Sequence, residues 1–106
     1  MNLSADLVQE ISRRICAVTS PKTVILFGSA ASGQMNADSD IDLLVLDEGA
    51  SHPIGESVRI RNSLRGLGCP FDVMVMATPR FEESKQVIGG IAYPAHKYGK
   101  VIYATA

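Results

Sequence analysis

A polar loop between two apolar runs constrains this chain more than any other feature of its sequence. The runs Thr23–Phe27 and Asp40–Leu46 are short and rich in Val, Ile and Leu, which is typical of buried strands. The second run carries two aspartates, Asp40 and Asp42, with a single residue between them. Because successive side chains of a strand point to opposite faces, these two carboxylates are predicted to share a face.

The Gly28-Ser29 turn that ends the first run is predicted to lie beside Asp40 and Asp42 when the two strands pair. A short helix is predicted to start at Ser29, because serine caps helices well, so its first backbone N–H groups would point at the same place. Paired carboxylates that face free backbone N–H groups suit a divalent cation carrying phosphates. The loop therefore predicts a metal and phosphate site.

The rest of the chain alternates helical and strand patterns. Helices are predicted over residues 3–18, over residues 56–67, from residue 79 to the glycine pair 89–90, and over residues 91–98, and further strands over residues 71–76 and 100–103. Gly99 is predicted to be the C′ residue of the last helix. The long crossover before residue 71 predicts parallel pairing with the second strand, whereas the first strand must be antiparallel to it. The expected fold is α/β (α+β), with a small mixed sheet flanked by helices in one domain over residues 1–106.

A third carboxylate, Asp72, lies at the start of the strand Phe71–Met76. Parallel neighbours begin at the same edge of a sheet, so Asp72 is predicted to approach Asp40 and Asp42. Each aspartate alone is compatible with an ordinary strand end. Two unit charges about 4 Å apart repel by about 4 kcal/mol at an effective dielectric constant of about 20. A cluster of three is therefore expected to need a cation, which favours metal-dependent chemistry.

Gly28-Ser29, Gly33 and Ser39-Asp40-Ile41-Asp42-Leu43 together resemble the signature of the polymerase-β-like nucleotidyltransferases. The short chain is similar to the minimal nucleotidyltransferase branch of that superfamily. The resemblance implies a polymerase-β-like nucleotidyltransferase fold. It also implies Mg²⁺-dependent transfer of a nucleoside monophosphate, with ATP the most expected donor, to an acceptor hydroxyl with release of pyrophosphate.

The resemblance also implies roles for individual residues. Asp40 and Asp42 would hold Mg²⁺ against the triphosphate, and Asp72 would share a second Mg²⁺ and orient or deprotonate the acceptor hydroxyl. Gly28 would let the backbone approach the phosphates, which Ser29 would help to hold.

Two further serines of the loop, Ser32 and Ser39, also correspond to positions of the family signature. Ser39 is expected to add a hydroxyl contact to the nucleotide or to orient the loop. Ser32 stands where many members of the family have arginine, so the loop offers no cation to the triphosphate. Weak nucleotide affinity, a cation from another chain and loss of activity are all compatible with this departure.

Composition narrows the function classes. The formal net charge of −1 gives no overall basic field, so a long nucleic acid duplex is an unlikely ligand. No apolar run approaches the ~18 residues of a membrane span, and no signal peptide pattern precedes residue 20. A reducing cytoplasm is the expected location, because the two cysteines form no disulfide framework. Two histidines make a His-based zinc site improbable.

Finer predictions concern single side chains. Cys16 is expected to be buried in the first helix, and Cys69 to be exposed in a turn. Met74 and Met76 are expected to fill the core. The arginines of the 56–67 helix are interpreted as a solvated face or, alternatively, as contacts to a nucleotide or a partner: Arg59, Arg61 and Arg65.

Two functional classes remain open at this point. Minimal nucleotidyltransferases often work beside a small helical protein of the HEPN type in toxin–antitoxin pairs, in which the nucleotidyltransferase modifies its partner with AMP. The resemblance therefore implies either an enzyme that acts on a protein hydroxyl or a small molecule, or an antitoxin-like subunit that mainly covers its partner. The sequence does not predict the oligomeric state.

Overall fold

A computed structural model describes residues 3–33, 39–49 and 52–105 of the chain. Its elements in chain order are α1 (Ala5–Val18), β1 (Thr23–Phe27), α2 (Ser29–Ser32), β2 (Ile41–Leu46), α3 (Pro53–Ser63), β3 (Phe71–Met76), α4 (Thr78–Ser84), α5 (Ala92–Tyr98) and β4 (Lys100–Ala104). Within these ranges, every helix is too short or too polar to cross a bilayer.

The four strands form one mixed sheet in the order β3-β2-β1-β4. β1 pairs antiparallel with both β2 and β4, and β2 pairs parallel with β3. The predicted mixed α/β fold is confirmed, including the relative directions of β1, β2 and β3 and the position of β4 at an edge. The parallel register places Asp42 opposite Asp72, so the two carboxyl-bearing strands meet with their aspartates aligned.

Several helix boundaries differ from those predicted. α1 begins at Ala5 because the Ser4 hydroxyl caps it by accepting a hydrogen bond from the Leu7 N–H at 3.1 Å. α3 begins at Pro53, earlier than expected, since proline suits the first helical turn, and it ends at Ser63. α4 ends at Ser84, well before the glycine pair at 89–90.

Each face of the sheet carries its own apolar cluster. On one face, α1 and α3 cover β1 and β2 through residues that include Ile11, Ile15, Leu43 and Ile60. On the other face, α4 and α5 cover the alternate residues of the same strands through Phe81, Ala92, Ala95, Ile25 and Leu44. This two-sided covering explains why β1 and β2 read as nearly continuous apolar runs.

Three side-chain predictions were wrong. Cys16 is exposed, because the buried stripe of α1 passes through Ile15 and the next residue lies about 100° further around the helix. Cys69 is partly buried rather than exposed. Met74 is 40% exposed, because β3 is an edge strand that α4 and α5 do not cover completely, whereas Met76 does pack against the second cluster.

Gly99 is required for a different reason from the one predicted. Its φ of −76° and ψ of 168° are those of extended backbone, not of a left-handed C′ residue. A Cβ atom at this position would collide with the carbonyl oxygen of Ala95 and with Cγ2 of Ile25. The absence of a side chain thus lets α5 turn directly into β4 against the core.

Candidate active site

Gly28 forms the sharp turn between β1 and α2. Its φ of 70° lies in the region that only glycine adopts readily, and a Cβ atom there would collide with Oδ2 of Asp42. The glycine therefore lets the turn pack directly against the carboxylate. The predicted helix start at Ser29 is confirmed, but Gly28 and not Ser29 is the N-cap of α2.

Asp42 is the central side chain of the site. It is the second residue of β2, aligned with Phe27 of β1 on one side and with Asp72 of β3 on the other. The side chain is partly buried. Burial raises the pKa of Asp42, and the negative charges of Asp72 and then Asp40 raise this pKa further. The negative charges of the other two predicted carboxylates therefore both act on Asp42.

The other two aspartates are exposed: Asp40 lies two residues before Asp42 in the chain, and Asp72 lies opposite Asp42 on β3. Asp40 precedes β2 instead of beginning it, because strand pairing starts at Ile41, whose N–H donates to the carbonyl of Pro70 at 2.9 Å. Asp72 lies on β3, where it shares a sheet face with Asp42. The structure thus aligns two of the three aspartates by strand register and places the third one residue before the strand.

Two serines of the loop lie before the aspartates in the chain, one in α2 and one next to Asp40. The Ser32 hydroxyl donates to the carbonyl of Ser29 at 3.2 Å, within α2. Ser39 is partly buried directly before Asp40. Residues 34–38 of the polar loop lie outside the described residues.

The three aspartates are the candidate ligands for a metal ion at this site. In the arrangement of side chains within the described ranges, no group of three or more His, Cys, Asp or Glu residues could hold a metal ion by itself. The donor set is nevertheless of the kind that Mg²⁺ uses, since this ion is usually bound by one or two carboxylates together with waters and substrate phosphates. Asp42 and Asp72, aligned on adjacent strands, fit that requirement without a closed protein cage.

A second feature of the same sheet edge was not predicted. A pocket of about 300 Å³ lies between α3 and the start of β3, and its wall includes Arg61 and Arg65. The sequence indicated a row of arginines, but their proximity to Phe71 depends on how α3 packs against β3. Only the four-residue spacing of Arg61 and Arg65 signals a shared helix face.

The chain belongs to the family described as Polymerase beta, Nucleotidyltransferase, whose model matches residues 9–105. This match confirms the predicted superfamily and the nucleotidyltransferase fold. A comparison with curated proteins finds no match.

Solved structures with the same fold include nucleotidyltransferase and toxin-antitoxin proteins. One is a toxin-antitoxin with AMP-PNP, at a TM-score of 0.72 and 19% identity, covering 92% of this chain and 73% of the other. A mutant of the toxin-antitoxin MntA-HpeT has a TM-score of 0.70 and 17% identity, with the same coverage. A putative nucleotidyltransferase from Sulfolobus solfataricus has a TM-score of 0.62 and 20% identity over 93% of this chain and 78% of the other.

Proposed function

We propose that this protein is a Mg²⁺-dependent nucleotidyltransferase that transfers AMP from ATP to a hydroxyl of a partner protein. The observation that carries the proposal is the position of Asp42. Asp42 is aligned with Asp72 by strand register, and the negative charge of Asp40 acts on it. It also lies so close to the turn that any side chain at residue 28 would collide with it. Clustered negative charge of this kind is unfavourable for stability and favourable for binding a divalent cation that carries phosphates.

The residues divide the work between donor and acceptor. Asp40 and Asp42 would hold Mg²⁺, which when bound neutralises the triphosphate and polarises its phosphorus centre. Asp72 would share a second Mg²⁺ and take or orient the proton of the acceptor hydroxyl. In the transfer, a bond forms between the acceptor oxygen and the α-phosphorus, the bond from this phosphorus to the β-phosphate bridge breaks, and pyrophosphate leaves.

Three residues of the turn and loop would contact the phosphates rather than the metal. Gly28 would allow close approach of the backbone, while Ser29 and Ser39 would supply hydroxyl groups. These contacts hold the α-phosphorus in line with the acceptor, and such positioning accounts for much of the catalysis in phosphoryl transfer.

A protein acceptor is favoured because two similarly folded structures are toxin-antitoxin assemblies. A partner of the small helical HEPN type would supply the surface that holds the hydroxyl. The alternative function is that of an antitoxin-like binding subunit with weak or no catalysis. The Ser32 hydroxyl supports this alternative, since it is bonded within α2 and brings no positive charge to the triphosphate.

The decisive experiment compares Asp42→Asn with Asp6→Asn, which removes a charge from an exposed residue of α1. Mg²⁺ with ATP should raise the melting temperature of the wild type and of Asp6→Asn, because a ligand specific for the folded state stabilises it. The same ligands should not stabilise Asp42→Asn. An equal rise for both variants would contradict the site assignment.

Intact-mass spectrometry then separates the two functions. A copurified partner incubated with Mg²⁺ and ATP should gain the mass of AMP with the wild type but not with Asp42→Asn. A stable complex without added mass would identify the antitoxin-like binding subunit instead.

A further inference from the structure

The pocket beside α3 has two arginines in its wall. It has a volume of about 300 Å³ and is lined by residues of the C-terminal part of α3 and of the segment that leads into β3, including Arg61, Asn62, Arg65, Cys69, Pro70 and Phe71. Both arginine side chains and Asn62 are exposed to solvent. The pocket is therefore open to a ligand and rich in hydrogen-bond donors.

The positive charges of this pocket are not compensated within the part of the chain that the structure describes. Arg13 and Arg14 both pair with Glu10, the latter at 2.7 Å, whereas none of the described ion pairs includes Arg61 or Arg65. Two like charges that line one pocket repel each other and do not stabilise the fold. The pocket is therefore suited to an external anion.

Arg14 satisfies the carbonyl groups at the end of α3, so the guanidinium groups of Arg61 and Arg65 are not needed there. Its Nη1 donates to the carbonyl of Ser63 at 3.2 Å and to that of Arg65 at 2.8 Å, just where α3 ends. These bonds satisfy carbonyl groups that the end of a helix leaves without partners. The end of α3 is held by α1, so Arg61 and Arg65 are not needed as caps.

The pocket also lies at the edge of the sheet that carries the carboxylates. Its wall includes Pro70 and Phe71, which immediately precede Asp72 on β3. Because neighbouring residues of a strand point to opposite faces, Phe71 faces the pocket side and Asp72 the active-site side. A segment bound in the pocket would need to pass only around the start of β3 to reach Asp72.

We propose that the pocket formed by Arg61 and Arg65 binds carboxylate side chains of the protein segment that carries the acceptor hydroxyl. This inference rests on the proposed function and identifies the acceptor as an acidic segment. Guanidinium groups pair with carboxylates through two parallel hydrogen bonds, which fix orientation as well as position. A nucleic acid fits less well, because two arginines do not form an extended basic track and the neighbouring aspartates repel a chain of phosphates.

The test uses an eight-residue peptide with one central tyrosine flanked by glutamates, and a matched peptide with glutamines. Addition of the glutamate peptide to ¹⁵N-labelled protein should shift the amide resonances of residues 61–72, and 0.5 M salt should weaken this binding. The double variant Arg61→Gln/Arg65→Gln should bind the peptide about tenfold more weakly. The control Arg59→Gln removes one arginine charge from α3 outside the pocket and should bind normally.

Equal binding of the two peptides, or equal weakening by the Arg59→Gln control, would overturn the inference. So would a single-stranded RNA of eight nucleotides that binds the pocket more tightly than the glutamate peptide.

Transfer of AMP from ATP to the peptide tyrosine is measured separately. Arginine-dependent binding without transfer would support the pocket and count against the proposed function. Transfer with the same KM in the wild type and in Arg61→Gln/Arg65→Gln would support the function and refute the pocket.

Discussion

Glu56 is a buried carboxyl group that does not belong to the candidate active site. It lies in the first turn of α3, is 6% exposed, and accepts a hydrogen bond from the Thr19 hydroxyl at 2.6 Å. Burial raises its pKa, and a hydrogen bond with the carboxyl group of Asp47 adds to this rise, while the Thr19 hydroxyl and the charge of Arg59 lower it. At neutral pH the folded protein therefore bears a cost for the charge of Glu56.

Replacement of Glu56 with glutamine should stabilise the fold at pH 7.5. The amide keeps an oxygen for Thr19 and gains an N–H₂ donor for Asp47. Removal of the buried charge and of its repulsion by the charge of Asp47 gains about 2 kcal/mol. Exchange of a charged for a neutral acceptor at Thr19 loses about 1 kcal/mol. The expected net gain is about 1 kcal/mol, or about 4 °C in melting temperature.

The pH dependence gives a second and sharper readout. Below the usual glutamate pKa of about 4.3, Glu56 is protonated in both the folded and the unfolded state, and its burial costs little. As the pH rises, the unfolded state loses this proton first, so the stability of the wild type falls until the raised pKa of the folded state is passed. The advantage of Glu56→Gln should therefore shrink as the pH falls from 7.5 toward 4.5.

Urea denaturation across this range measures both effects, with Glu48→Gln as the control because Glu48 is exposed and pairs with Lys22 at 3.5 Å. The control should change stability by less than about 0.5 kcal/mol. A Glu56→Gln protein that is no more stable at pH 7.5, or whose advantage does not vary with pH, would refute the assignment of a buried, charge-penalised carboxylate.

Three further predictions concern the candidate active site. Without nucleotide at pH 7, Asp42→Asn should raise the free energy of unfolding by about 1 kcal/mol in urea denaturation. The reason is that it removes a partly buried negative charge that Asp72 and Asp40 repel. A loss of stability would contradict this reasoning. Gly28→Ala should lower the free energy of unfolding by about 2–3 kcal/mol, because residue 28 has a positive φ and a Cβ atom there collides with Asp42. The control Gly55→Ala in α3, where a Cβ atom meets no atom within 4 Å, should be neutral or stabilising in the same assay. In calorimetry, Ser32→Arg should strengthen the binding of a non-hydrolysable ATP analogue with Mg²⁺ by about 1.5–3 kcal/mol. The control Ser57→Arg should leave this affinity unchanged, and it is matched because Ser57, like Ser32, donates to a carbonyl three residues back. An unchanged affinity of Ser32→Arg would indicate that residue 32 does not face the phosphates.

The sequence by itself determined the strands and their directions. The nearly continuous apolar runs at Thr23–Phe27 and Ile41–Leu46 indicated strands buried on both faces, and the connections between the strands predicted one antiparallel and one parallel pairing. These directions were sufficient to predict that Asp42 and Asp72 meet at one edge. Helix ends were less predictable, because Pro53 and the end of α4 depend on caps and packing as much as on periodicity.

Only the tertiary structure decided which side chains actually face one another. The approach of Gly28 to Asp42, the bond from Thr19 to Glu56, and the pocket between Arg61 and Phe71 each join elements that are distant in sequence. Periodicity assigns a residue to a face of its own helix or strand, but it contains no information on the neighbour that covers this face. The exposure of Met74 has the same cause, since an edge strand and a central strand can share one apolar pattern while only the central strand is covered on both faces.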